Sequence, residues 1–197
     1  MENQFSKPMA SEIENPAVSS GLRTAGVILA GSALVAVCSH IALPLWFTPV
    51  PLTLQPFAVL LLGLVLGPRL VAATLGAYLL EGAAGLPVFA PGFALGAGMV
   101  HLLGPTGGYL MSYPAAAALV SWIRRSVAQG FAGAALSATA GDVLILLCGF
   151  VWLTIWTHAA VGSAFAMAVL PFLPGEALKV AAAAGIARGL DRMRRNR

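Results

Sequence analysis

The chain has 197 residues, of which 59% are hydrophobic and 9% charged, with a mean hydropathy of +0.88. Soluble domains carry about 25% charged residues, so this composition excludes a soluble enzyme or nucleic-acid-binding module and indicates an integral membrane protein. The net charge of +4 resides mostly in the tail, where Arg188, Arg192, Arg194, Arg195 and Arg197 suit an anionic lipid surface; with no aromatic interleaving, they do not suggest a nucleic-acid partner.

Residues 1–20 are polar and read as a flexible cytoplasmic leader, without the basic start, apolar stretch and cleavage site of a signal peptide. Residues 21–190 have room for roughly six spans of about 20 residues each, forming one all-α membrane domain, and 191–197 form a basic cytoplasmic tail. The first span is predicted over 22–43. Pro44, Pro49, Pro51 and Pro56 then preclude a regular helix, because each ring removes a donor and blocks the preceding turn. The next two helices, 56–66 and 70–85, flank Gly67-Pro68-Arg69 and are short for a bilayer. The proline-rich segment must therefore share the membrane depth, which irregular backbone does only where protein or a water-filled cavity surrounds it. A Gly- and Pro-rich loop is expected over 86–108. It is followed by helices over 109–123, closed by Arg124-Arg125, and over 131–157. The last span, 163–189, is interrupted by Pro171 and Pro174, where a kink is expected. Cys38 and Cys148 fall in apolar runs without metal-ligand spacing and read as small core hydrophobes.

Ten of the eleven Lys and Arg residues lie before or at the start of the first span, in alternate connections, or at the end of the last span and in the tail. By the positive-inside rule both termini are cytoplasmic and the Pro/Gly-rich loops face outward. The eleventh is Lys179, inside an apolar helix three residues after Glu176, so that the two share a helix face. Charged groups within a membrane span usually pair with one another and line a substrate path. Pro174 and Gly175 restart the helix just before them and present free N–H groups and a positive dipole end, as broken transporter helices do to anionic ligands. A small, partly apolar guest with a carboxylate and polar N–H or C=O groups fits this site.

Glu81, Asp142, His40, His101 and His158 are the other ionisable groups of the apolar portion. Asp142 faces either a partner helix or the ligand and is placed with the ligand-binding candidates. His40, His158 and Glu81 lie near span ends, and His101 is a further ligand candidate. No HExxH, GxSxG or paired-aspartate motif accompanies them, which speaks against an intramembrane enzyme. The run 104–108 lacks the lysine of a phosphate loop and reads as a tight turn. Of the aromatics, Trp156 is assigned to the interfacial belt, and Trp152 and Tyr109 to the pocket.

Four stretches, taken together, resemble the BioY family, the biotin-specific substrate-binding (S) subunits of energy-coupling factor (ECF) transporters. They are Val50-Pro51-Leu52-Thr53-Leu54-Gln55; Leu66-Gly67-Pro68-Arg69; Gly85-Leu86-Pro87-Val88-Phe89 with Leu103-Gly104-Pro105-Thr106-Gly107-Gly108-Tyr109; and Phe172-Leu173-Pro174-Gly175-Glu176-Ala177-Leu178-Lys179. The resemblance implies a six-helix S-component bundle in the bacterial inner membrane, with biotin as transported ligand and no cofactor. It also implies that Glu176 (often Asp in the family) and Lys179 help hold biotin, with Gln55 and Tyr109 near the pocket. Leu110 stands where some relatives have Arg. The ureido end is expected against Gln55, Tyr109 and Trp152, and the carboxylate toward Lys179. The resemblance further implies a transmembrane coupling protein and two ATPase subunits as partners. Gly26/Ala30 and Ser32/Ala36 on the first helix have the small-xxx-small spacing for such docking or for packing within the bundle. The alternatives are an S subunit for another carboxylate-bearing vitamin or an intramembrane enzyme.

Overall fold

Proline placement sets where several helices begin. Pro56, Pro68 and Pro174 each occupy the first turn of a helix, where the missing N–H would have had no intrahelical acceptor. The computed structural model describes residues 16–91, 98–127 and 129–196. In chain order its elements are α1 (Pro16–His40), β1 (Ala42–Leu43), β2 (Leu52–Thr53), α2 (Gln55–Val65), α3 (Pro68–Ala83), α4 (Met99–Leu103), α5 (Gly107–Ser126), α6 (Phe131–Thr157), α7 (Val161–Ala168) and α8 (Leu173–Arg195).

Among the described residues, six helical segments build the bundle, counting α7 and α8 as one bent by 45° and setting aside the five-residue α4. By length and composition Ser20–His40 and Phe131–Thr157 can each cross a membrane, and the bent pair makes a third. Helix α2 has only 11 residues and α3 16. The proline-rich segment ahead of α2 is a small antiparallel hairpin, pairing Ala42 with Thr53 and Leu43 with Leu52, so part of its backbone is satisfied within itself. The backbone is helical from Pro16, and α8 continues through Arg195, with residues 1–15 and 197 outside the described part. One expectation needs correction: the 86–108 loop contains the short helix α4, with 92–97 outside the described residues.

Helices α5 and α6 share the most extensive contact of the bundle. Their seam is lined by glycines. A Cβ on Gly108 would lie 2.2 Å from Trp152 Cβ and 2.5 Å from the Cys148 carbonyl oxygen, and one on Gly149 would lie 2.2 Å from the Tyr109 ring. Absent side chains let two backbones approach closely, which is the main source of helix attraction where lipid is as apolar as leucine. Tyr78, Leu60, Leu75, Ile145 and Leu153 are fully buried inside, while Leu29, Val37, Leu136, Leu147, Ile155 and Leu178 are exposed on the outside, as a lipid-facing surface requires.

Helix α1 packs mainly on α3. Gly26 and Ala30 are exposed. Ser32, in contrast, is fully buried and donates its hydroxyl to the Glu81 carboxylate of α3, while Ala36 packs against the core. The Ser32/Ala36 pair therefore serves bundle packing rather than an outward docking face, because Glu81 needs a donor inside the apolar layer. At the arginine-bearing end, Arg124 of α5 pairs with Asp191 of α8 at 2.6 Å.

Overpacking a filled seam costs about 1–3 kcal/mol. Gly108→Ala is therefore expected to lower the thermal unfolding midpoint in detergent by several degrees. Gly76→Ala, whose added Cβ meets nothing within 4 Å, is the control and leaves the midpoint level or raises it, since alanine favours the helix interior over glycine. Equal midpoints for both variants would show that α5 and α6 have room to separate.

Candidate functional site

The spacing of three residues on α8 creates the polar end of the site. Phe172, Glu176 and Lys179 follow one another at intervals of four and three, so they share one face of the helix, and all three line a cavity of about 210 Å³. The break between α7 and α8 opens this face. Val169 and Phe172 are joined by a turn hydrogen bond, and the Glu176 amide returns to the Phe172 carbonyl at 2.8 Å as the new helix starts.

Lys179 Nζ donates to Glu176 Oε1 at 2.7 Å, with both residues more than nine-tenths buried. An ammonium carries three donors, so an amine held by a single carboxylate oxygen retains donors for a second anionic acceptor. Glu176 Oε2 has no hydrogen-bond partner among the described residues. The remaining wall is chiefly apolar and aromatic. Helix α5 contributes Tyr109 and Tyr113, one turn apart; α6 contributes Ile145 and Trp156; the loop after α3 contributes Phe89.

Tyr109 donates its hydroxyl to the Ala168 carbonyl at 2.7 Å, so its ring serves as wall while its polar atom ties α5 to the end of α7. Gln55 closes the hairpin side. Its Nε2 donates to Tyr78 Oη at 2.5 Å, its Oε1 accepts from Thr53, and Tyr78 in turn donates to the Val88 carbonyl at 2.9 Å. One amide thereby fastens the loops before α2 and after α3 to the bundle. His101 also lines the cavity, its ring 5.6 Å from that of Phe89 and its Nδ1 buried without a partner among the described residues.

Of the six predicted ligand residues, the fold gathers Gln55, Tyr109, Glu176 and Lys179 around the cavity and leaves two outside it. Trp152 does not line the cavity. Its indole N–H donates to the Gly104 carbonyl at 2.8 Å and its side chain packs on Gly107 and Gly108, which turns it into the brace of the glycine turn. Trp156, assigned by sequence to the interfacial belt, is 45% exposed and also lines the cavity. Asp142 lies one turn of α6 beyond Ile145, toward the arginine-bearing end, buried and within hydrogen-bond reach of Glu176. Tyr113, which the sequence leaves open between belt and pocket wall, lines the cavity, as does Phe172. Their spacing from Tyr109 and Glu176, four residues in each case, is the signal that could have found them.

The model of the BioY family matches residues 9–196. The chain is 41% identical over 143 residues to a probable biotin transporter BioY of Pyrococcus horikoshii, an alignment covering 73% of this chain and 82% of that protein. It is 36% identical over 162 residues to a biotin transporter BioY of Thermotoga maritima, covering 82% and 92% respectively. Its fold matches the crystal structure of the S-component for biotin from an ECF-type ABC transporter with a TM-score of 0.79 at 23% identity, over 88% of this chain and 93% of the other. The bundle is thus an S-component fold, and the chain belongs to the BioY family.

Proposed function

We propose that this protein binds biotin and mediates its uptake across the bacterial cytoplasmic membrane as the S subunit of an ECF transporter. The observation that carries this reading is the buried Lys179–Glu176 pair at one end of a cavity otherwise walled by aromatic and apolar groups. Such a site offers one strong counter-charge to a carboxylate and flat apolar surface to a compact ring system. The family membership, and relatives that are themselves described as biotin transporters, support biotin as that ligand. Its carboxylate is assigned to Lys179 and its ring end to the walls formed by Phe89, Tyr109, Tyr113 and Trp156. A coupling protein and two ATPase subunits supply the energised step, Gly26 and Ala30 being an exposed small pair on α1. Both termini are cytoplasmic, in keeping with the distribution of arginines.

Equilibrium binding of labelled biotin to the purified chain, competed by other carboxylate-bearing vitamins, tests the identity of the ligand. Preferential displacement by one of them would reassign it. A charge-assisted contact is worth about 1.5–3 kcal/mol, so Lys179→Ala is expected to weaken biotin binding roughly 10- to 150-fold. A folded variant of wild-type affinity would make Lys179 structural. Converting the biotin carboxylate to an amide is expected to weaken binding to wild type strongly and to Lys179→Ala little, since both changes remove one interaction. Additive losses would place the carboxylate elsewhere. For orientation, single cysteines at the exposed positions Trp46 and Ser126 are expected to differ toward an impermeant thiol reagent added to intact cells, with Trp46→Cys labelled and Ser126→Cys protected. The opposite pattern would invert the topology.

A further inference from the structure

Several polar side chains on the cavity wall already have their hydrogen bonds inside the protein. Gln55 donates to Tyr78 and accepts from Thr53, and Tyr109 donates to the Ala168 carbonyl. Tyr113 differs. It lines the same cavity and is 2% exposed, yet its hydroxyl makes no hydrogen bond among the described residues. The chain has three tyrosines, and each of the other two donates to a main-chain carbonyl, Tyr78 to Val88 and Tyr109 to Ala168. Among the described residues, the side-chain polar atoms both sealed from solvent and unpaired are His101 Nδ1, Asp142 Oδ1 and Glu176 Oε2. The Tyr113 hydroxyl is not one of them, so it keeps an open side, and in a residue this buried that side is the cavity. A hydroxyl held in such a place without an acceptor is unfavourable.

Its depth follows from two contacts between α5 and the α8 segment. The rings of Tyr109 and Phe172 lie 6.2 Å apart, and Arg124 pairs with Asp191 toward the arginine-bearing end. The two helices therefore run in the same direction. Tyr113 and Glu176 each follow the ring pair by four residues, a rise of about 6 Å. The phenol is thus level with Glu176 across the cavity, and Lys179 comes three residues later on α8. All three line the space between.

We propose that the Tyr113 hydroxyl donates to the ligand carboxylate that Lys179 holds, so that α5 and α8 form the two sides of one anion clamp. This rests on the assignment of the carboxylate to Lys179 given above. A carboxylate has about four acceptor sites on its two oxygens, and Lys179 already spends one donor on Glu176. Away from water, an anion is favoured only where its lone pairs are met. A phenol meets one of them without adding charge, so the Glu176–Lys179 pair stays balanced when the site is empty. The ring of Tyr113 keeps its place in the wall, and the hydroxyl at its tip adds the polar contact. Trp156 also has an unspent indole N–H, but it is 45% exposed and lies near the end of α6 farther from the arginines, where water serves it.

Tyr113→Phe keeps the ring and deletes only the hydroxyl. That hydroxyl makes no bond within the bundle, so the unfolding midpoint of the ligand-free chain is expected to stay level. Biotin is expected to bind the variant about 10-fold or more weakly. An analogue of biotin with hydrogen in place of the carboxyl group is expected to bind wild type and Tyr113→Phe alike, because ligand and variant then lack the same contact. Tyr109→Phe is the contrast. It loses the Ala168 tie, and is expected to unfold earlier and to weaken biotin and the analogue by one factor. Wild-type affinity of Tyr113→Phe for biotin overturns the clamp. An equal loss for biotin and the analogue also overturns it, giving the hydroxyl to the ring end of the ligand or, if the ligand-free midpoint falls, to the bundle. A wild-type chain that does not bind biotin removes the biotin reading instead. The same comparison is then made with lipoate and its carboxyl-free analogue, and absence of a carboxyl-dependent loss there overturns the clamp.

Discussion

A lysine amine held away from water needs a counter-charge at all times, and that requirement organises this bundle. Lys179 is buried on α8, and Glu176 answers it from the same helix face, three residues earlier. The pair in turn needs a polar opening where an anion can approach, and the break between α7 and α8 provides it. Breaking a buried pair by removing one partner is far more harmful than never having had it. The site is therefore poised. In the proposed binding mode a visiting carboxylate would share a charge that is already present.

A second constraint concerns neutral groups. The walls near the hairpin are irregular backbone, and backbone in an apolar layer must be paired. Gln55 and Tyr78 do this for two loops at once: the tyrosine hydroxyl donates to the Val88 carbonyl while accepting from the Gln55 amide, and Ser39 Oγ lies 2.8 Å from the same carbonyl. The loops before α2 and after α3 are thus anchored on one side by side chains from α1, α2 and α3. On the other side the glycine seam fixes α5 to α6, and Trp152 braces the turn at Gly104. The cavity lies between two braced halves.

Much of this was legible from residue order alone. Prolines and arginines marked helix starts and ends to within a few residues, because each acts locally: a ring removes one donor, and a charge avoids one phase. The Glu176–Lys179 pair was legible for the same reason, being three residues apart on one helix. What could not be read were contacts made across large sequence distances. Trp152 lies at the right depth for the pocket, but its indole is satisfied by the Gly104 carbonyl, 48 residues away, and so it turns from the cavity. Ser32 looked like a free small residue on α1 until Glu81, 49 residues later, was found to require its hydroxyl. The helical start at Pro16 escaped notice because polar composition describes solubility, not backbone geometry.

The brevity of α2 has a physical consequence inside the bundle. Eleven residues rise about 16 Å, against a hydrocarbon core of about 30 Å. None of them is exposed, since α1, α5, α6 and α8 pack around the helix, so the missing depth is made up within the protein by the hairpin and its prolines rather than by lipid. The hairpin that walls the cavity thus also caps a helix too short to reach the surface alone, and any displacement of it uncovers backbone that the apolar layer cannot satisfy.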